Sequence, residues 1–586
     1  MSLSGEIVVA DENLTVGPVE AGDCDYTSIT DALDNVLPIT ENIHVVAATY
    51  NETLAITDQS INITGGYVDC AAAQSNTRIA GSMSTLDPSA HGMYISAAID
   101  GGFESINITG FNVVDGLAGF INSGGINIIG EVNVTIIESR VAENASNLGG
   151  GIYIETPATL FIHDTMVENN EAVMGGGIYC NGCSFVMNGA SGISDNEANE
   201  NGPSTGIGGG LYLTEEATAS LLSGSINPSV NNHGIHSNQA SSLGGGIYVE
   251  DSELLLFGYL SAFGFGSSTD PVNITNNSSG ESGGGMYITD GSTVSATVID
   301  MRNNNTGDSG AAIFIEGGSS LTIDMKTGDS TLESCWSGDK TKCNRINNNY
   351  IANGSETDGQ GGAIRSLNSE VHLEHVWFEG NSAGEGEGAV IRHQAHYGEG
   401  LWIENSVMFQ NGISNGQDEN IIHANNSHVN MRSNTLVDNT ITDQVIRLIG
   451  SPVYDWSFYN NIIHNENGGD IFELTSIAGS PNMIMDCFLV HDDSTLPALS
   501  TAVFSGNPNF YDRGAGDLHL TSDSHQAVDK CIAAPDTVPL DMDLQERIYD
   551  VSGMGNELTM NVVDIGADEF TGNDIDLDII FADGFD

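Results

Sequence analysis

The chain has 586 residues, with 79 acidic against 14 basic side chains and a formal charge of −65. Neutralising phosphates needs a basic surface, so nucleic acid is excluded as a partner, and anionic membranes and polyuronates are repelled at long range. Apolar residues make up 39% of the chain and fall in period-two runs, enough for a core, which excludes a disordered body.

No signal peptide is legible at Met1, which reads as a mature form. Residues 1–80 read as an N-terminal cap and first coils. Within them Ile29, Ala32, Leu33, Val36 and Leu37 share one helical face, with Pro38 as the stop. A helix across the open end of a stack of strands hides its unpaired edge.

From about residue 81 to 504 one glycine-rich phrase keeps returning. It reads Gly149-Gly150-Gly151-Ile152-Tyr153, then Gly175-Gly176-Gly177-Ile178-Tyr179, 26 residues further on. It recurs from Gly208, Gly244 and Gly283, and more weakly from Gly310 and Gly361. A second phrase alternates with it, an apolar strand ending in asparagine, as in Phe161 to Asn169 and Phe378 to Asn381. Others end at Asn144, Asn238, Asn411, Asn439 and Asn461.

A phrase at a fixed period of tens of residues means a solenoid. Alternating apolar residues and β-branched side chains make its elements strands. Short strands with Gly and Asn corners predict an all-β, right-handed parallel β-helix with rungs about 4.8 Å apart. Asparagine tolerates the left-handed region and can hydrogen-bond to its counterpart in the next coil, so an asparagine ladder is expected. Long gaps between phrases predict loops bulging around 181–207, 214–240, 251–280 and 316–350.

Eight cysteines fall into neighbour pairs, Cys24/Cys70, Cys180/Cys183, Cys335/Cys343 and Cys487/Cys531. An even count on such a scaffold suggests disulfides, whose connectivity spacing alone leaves open. Cys180 and Cys183 lack further ligands at metal spacing and read as a small structural loop.

Two regions concentrate the ligand-type residues. Lys326, Lys340 and Lys342 share one insert with Trp336. Trp stacks on sugar rings and Lys reaches carboxylate or sulfate groups, so Trp336, Lys340 and Lys342 are ligand-binding candidates, together with Trp402. The alternative is a surface loop whose Trp covers the coil beneath. The next coils carry Arg365, His372, His375, Trp377, Arg392, His393, His396 and Trp402. Aligning Val371–Glu374 with Leu401–Glu404 and Val429–Arg432 puts His372, Trp402 and Asn430 in one outward column. Glu374, Glu404 and Arg432 form a second.

Two carboxylates one rung apart match the spacing of a retaining glycosidase pair, so Glu374, Glu404 and His372 are the catalytic candidates. The alternative is an ion pair between Glu404 and Arg432. His372 and His375 sit on a strand and its corner and should diverge, and His393 with His396 lacks a third ligand. No resident cofactor is implied. Asp541 to Arg547 opens like a calcium loop but lacks its glycine; Ca2+ could still bridge acidic corners.

Residues 505–570 are less periodic and are expected to cap the far end. The tail 571–586 is acidic and aromatic and reads as a sorting signal or a frayed end. No stretch is long and apolar enough to span a bilayer as a helix.

The phrases Gly361-Gly362-Ala363-Ile364, Phe378 to Asn381 and Phe458 to Asn461 resemble the repeats of polymorphic outer-membrane proteins, bacterial surface β-helix proteins that include adhesins. The resemblance covers roughly 105–465, and most copies here carry Gly where that family has Ala. Cys24 to Ile29, Gly65 to Cys70 and the closing Asp564-Ile565-Gly566-Ala567-Asp568-Glu569-Phe570 resemble the ends of secreted bacterial proteins of the pectin-lyase-like superfamily.

These resemblances imply an extracellular or cell-surface protein, an adhesin or scaffold that meets a glycan or host-surface ligand, as a monomer. The alternative is a polysaccharide lyase or glycosidase. A third reading, a calcium-stabilised coat component, predicts a calcium-dependent melting shift. The calcium-and-Arg set of pectate lyases and the catalytic set of polygalacturonases are not legible.

Overall fold

The computed structural model describes residues 13–36, 42–88, 92–98, 103–117, 124–199, 206–223, 234–260, 269–325, 344–352, 359–384, 386–396, 398–412, 418–465, 470–476, 482–491, 496, 500–532, 539–543, 545–547 and 562–570. Contacts divide the chain into two units, residues 1–220 with 230–241, and 221–229 with 242–586.

In the first unit each coil is a set of short strands that pair in parallel with the next coil. Ile152–Glu155, Thr159–His163, Met166–Glu168 and Glu171–Ala172 lie on Ile178–Asn181, Ser184–Asn188, Gly192–Ser194 and Glu197–Ala198. The second unit repeats the plan. Ile364–Leu367, Glu370–Glu374 and Val376–Glu379 pair with Ile391–Gln394, Gly400–Glu404 and Val407–Phe409. This is the expected right-handed parallel β-helix. The span 181–207, expected to bulge, holds three strands in register, because each coil has more than one sheet to complete between glycine phrases.

Alternate side chains fill the interior: Leu160, Ile162, Leu373, Ile403 and Met431 are buried, while their strand neighbours face out. The corners explain the two phrases. The first glycine of each phrase has positive φ, as at Gly149 and Gly361, a conformation glycine adopts without strain. A Cβ on the second, Gly150, would run into the Gly176 and Glu171 carbonyls.

The asparagine ladder is present. Asn349 donates from its backbone and its side chain to Asn381 Oδ1, at 3.1 and 3.0 Å. Asn381 does the same to Asn411, and Asn411 to Asn439. In the first unit the ladder runs Asn144, Asn170, Asn196, Asn238. The ladder residue is Asn170 and not Asn169, which takes the left-handed corner at φ 54°. Asn461 belongs to a second ladder with Asn434.

The N-terminal helix is shorter than expected, Ile29–Asp34, capped by Ser28 and ended at Asn35; Ile29, Ala32 and Leu33 are its buried face. Leu37 lies outside the described residues. A second helix that the sequence reading missed, Cys70–Gln74, starts at an Asp69 cap and is tied to Cys24 by a disulfide. Cys180–Cys183 and Cys487–Cys531 are also bonded. Cys335 and Cys343 lie outside the described residues. Among the described residues no helix is long and apolar enough to cross a membrane.

Candidate functional site

The coils between 364 and 490 place the predicted residues in the expected register. His372 pairs with Trp402, and Trp402 with Asn430; Glu374 pairs with Glu404, and Glu404 with Arg432. All six are half-buried and face outward. The His372 and Trp402 rings are stacked at 4.0 Å between centroids and 11° between planes. Stacking of this kind turns the ring faces toward the neighbouring rungs and leaves edges toward solvent. Burial holds the His372 imidazole below its usual pKa, with Glu370 opposing.

Each of the two carboxylates also has a basic neighbour. Glu404 lies 3.9 Å from Arg432 Nε, and Glu374 lies 3.3 Å from His375 Nδ1. Other residues of the cluster do not join the face. His375 sits at a left-handed corner, fully buried, with Nε2 2.8 Å from the Asp541 carbonyl. Trp377 is buried with its Nε1 donating to Glu379. His393 points inward and burial pulls its pKa down to about 4, while His396 is exposed, so both histidine pairs diverge. Trp336, Lys340 and Lys342 lie outside the described residues.

On another sheet the slot after each Gly-Gly-x-Ile phrase forms a single outward column. It is filled by Tyr248, Tyr287 and Phe314, whose rings stack at 5.3 and 4.8 Å. Arg365, Arg392, His423 and Arg447 then continue it in register. Glu387 binds three of these, at 2.8 Å from Arg392, 3.2 Å from His423 and 3.7 Å from Arg447. Burial acts against the Glu387 charge, yet the His423 hydrogen bond and the His423, Arg392 and Arg447 charges hold its pKa down at about 2. Burial and the neighbouring Arg392 pull Arg365 down to about 9. The sequence reading missed this column, although the phrase position of Tyr153 recurs at Arg365 and would have revealed it.

The C-terminal segment is the second polar centre. The closing signature is a set of carboxylate clamps. Asp564 Oδ2 accepts from Phe570 N at 2.7 Å, Asp564 Oδ1 from Asp529 N at 2.6 Å, and Asp568 Oδ2 from Leu520 N at 2.5 Å. Arg547, fully buried, donates to Asn405 Oδ1 and the Ala567 carbonyl. Gly566 N donates to Asn460 O and Ala567 N to Thr435 Oγ1, which ties the segment to the coils. Leu518, Met542 and Ala567 pack there on Trp377, Phe409 and Val437.

Burial first, then like-charged neighbours, raises the Asp541 and Glu569 carboxyls, and burial outweighs the clamping amides at Asp564. His519 lies between Asp517 and Asp543, at 2.6 and 2.8 Å, and the Asp543 charge with the hydrogen bonds lifts it well above its usual pKa despite burial. His519, Asp543 and Asp568 bring possible ligand atoms within 4.8 Å of one another, the one group among the described residues that could hold a metal ion.

No family model matches the chain, and no curated protein matches it. Among solved structures it is similar to the crystal structure of the pectin methylesterase from Aspergillus niger in deglycosylated form, at 14% identity and a TM-score of 0.19, over 55% of this chain and 88% of that one. A likeness of that strength carries no argument about chemistry.

Proposed function

We propose that this chain is a secreted or cell-surface β-helix protein, an adhesin or scaffold that binds an extracellular glycan along coils 364–490. The observation that carries the reading is the register of the outward columns. His372, Trp402, Asn430 and Ser457 follow one another rung by rung, as do Glu374, Glu404, Arg432 and Tyr459. Polar groups repeated about every 4.8 Å suit a linear polymer laid along the axis. The three disulfides among the described residues fit an oxidising compartment. The resemblance of the repeats and ends to bacterial surface and secreted β-helix proteins supports the same location.

A second reading has one observation in its favour. Glu374 and Glu404 are register partners on the same face, the arrangement that a retaining glycosidase uses for acid/base and nucleophile. Incubating the protein with neutral, sulfated and uronic polysaccharides tests both readings at once. Binding without new reducing ends supports the adhesin, cleavage supports the enzyme, and silence on both overturns the glycan reading.

A further inference from the structure

The C-terminal segment, which packs against successive coils at His375, Asn405, Thr435 and Asn460, carries a further feature. Residues 507–513 and 521–523 border an open hollow of about 670 Å3. The two stretches are tied to each other. Asn509 Nδ2 donates to the Asp523 carbonyl at 2.8 Å, Thr521 Oγ1 to the Asn509 carbonyl at 3.1 Å, and Tyr511 N to the His519 carbonyl at 3.0 Å. Phe510 packs beneath them on the apolar clusters that the C-terminal segment shares with the coils. The hollow is therefore preformed, and a ligand need not order it on binding.

Tyr511 stands at this hollow 56% exposed. It belongs to no ring stack among the described residues, unlike Trp402 and Tyr287, whose faces are covered by neighbouring rungs. Its hydroxyl and the Asp523 carboxylate make no hydrogen bond among the described residues. Asn507 Oδ1 takes Asn509 N at 2.9 Å, which fixes the amide with its Nδ2 as the remaining donor. The guanidinium of Arg513 is held by Asp438 and is neutralised there.

We propose that this hollow binds a pyranose unit of a neutral glycan. A pyranose ring offers an apolar C–H face to an aromatic ring and a rim of hydroxyls to polar groups. Tyr511 is the stacking platform. Asp523 accepts from two adjacent hydroxyls, and Asn507 donates to a third oxygen. Asp523 and the chain's charge of −65 select against uronates and sulfated sugars. The inference rests on the glycan-binding reading and gives it a second place of contact, in the C-terminal segment instead of on the coils.

The test is ligand-observed saturation-transfer NMR and titration of the full chain. The probes are methyl glycosides of glucose, galactose and mannose, with glucuronate as the charged control. We expect at least one neutral glycoside to bind, glucuronate to bind about tenfold more weakly, and Tyr511→Ala and Asp523→Asn each to weaken binding about tenfold. Tyr511→Phe, which keeps the ring, should stay within about threefold of the parent. Tyr511 is exposed, so an unchanged melting temperature separates lost contact from lost fold. Neutral-sugar binding that survives Tyr511→Ala, or no binding of any neutral glycoside at millimolar concentration, overturns the proposal. Binding lost in Trp402→Ala but kept in Tyr511→Ala removes the hollow and leaves the coil face standing. Polysaccharide binding absent from the parent itself removes both.

Discussion

Asp564 and Glu569 hold each other in place: Asp564 N donates to Glu569 Oε2 at 3.0 Å, while Asp564 Oδ2 accepts from Phe570 N one residue beyond. The pair fixes the closing turn against the coils, and Arg547 Nη1 lies 4.0 Å from the same Glu569 oxygen. A hydrogen bond contributes about 0.5–1.5 kcal/mol net, and a buried amide left without its partner costs about 1–3 kcal/mol. Asp564→Ala removes two such bonds and leaves buried amides without partners. It should cost about 3 kcal/mol or more, seen as a lower melting temperature and as early proteolytic loss of residues beyond about 505. An unchanged melt and digestion pattern would show that the signature does not hold the C-terminal segment.

The C-terminal segment should respond to pH in the opposite direction from Glu387. The carboxyls of Asp541, Asp564 and Glu569 and the imidazole of His519 all have folded pKa values raised above their ordinary ones. A raised folded pKa stabilises fully below the unfolded pKa, and that stability is lost as pH rises through the folded value. For the carboxyls the loss begins above about pH 4, and for His519 above about pH 6.5. Hydrogen exchange in 517–532 and 562–570, corrected for the intrinsic rate, should show protection falling from pH 5 to pH 9, about tenfold or more. Protection that rises over that range contradicts the assignment.

Glu387 works the other way. Its folded pKa of about 2 lies below its ordinary value of 4.5. The stability that it contributes is present above pH 4.5 and is lost as pH falls through 2. The shift corresponds to an upper figure on the order of 3 kcal/mol before solvent screening. Glu387→Gln should therefore lower the melting temperature at pH 7 and converge with the parent near pH 2. A constant difference at every pH would mean that Glu387 contributes packing and not charge.

Much of this fold was legible because its rules are local. The glycine phrase encodes corners, alternation encodes the interior, and asparagine encodes the ladder, so the register of Val371, Leu401 and Val429 could be aligned from sequence alone. The partners of His375 and Asn405 could not. They lie in the C-terminal segment, where His375 meets the Asp541 carbonyl and Asn405 meets Arg547 at 2.6 Å. Those contacts join residues 166 and 142 positions apart, and the far partner in each lies in an aperiodic stretch. The closing signature was visible as a resemblance, but its role needed the positions of Leu520, Asp529 and Thr435. The hollow around Tyr511 is built by two turns without repeat or motif.

The asparagine ladder is the cheapest place to test the scaffold. Asn381 is fully buried, donates to Asn411 and to the Ile346 carbonyl, and accepts from Asn349. Asn381→Ala deletes this node and strands several buried polar groups, at about 1–3 kcal/mol for each. The melting transition should fall by several degrees, with far-UV circular dichroism of the remaining fold still dominated by strand. A substitution of exposed Asn51, whose side chain makes no hydrogen bond among the described residues, sets the background for comparison. Equal melts of the two variants would show that the ladder is not a stabilising element.

Glu374 and Glu404 decide between the two functional readings. Acid/base catalysis by one and attack by the other require that neither tolerate loss of its ionisable group. If the coils cleave a glycan, Glu374→Gln and Glu404→Gln should each cut turnover by about 10²-fold or more with binding retained. Their neighbours argue for the milder outcome: Arg432 lies 3.9 Å from Glu404 and His375 Nδ1 lies 3.3 Å from Glu374, so a basic side chain already stands beside each carboxylate. On the binding reading, both glutamine variants keep their melting temperatures within a few degrees, release no reducing ends, and weaken polysaccharide binding by less than Trp402→Ala does. Measuring reducing ends and retained polysaccharide on the same three variants separates the cases. Catalysis lost with binding intact makes these glutamates an enzyme's pair, whereas binding lost chiefly at Trp402 makes them the rim of an adhesive face.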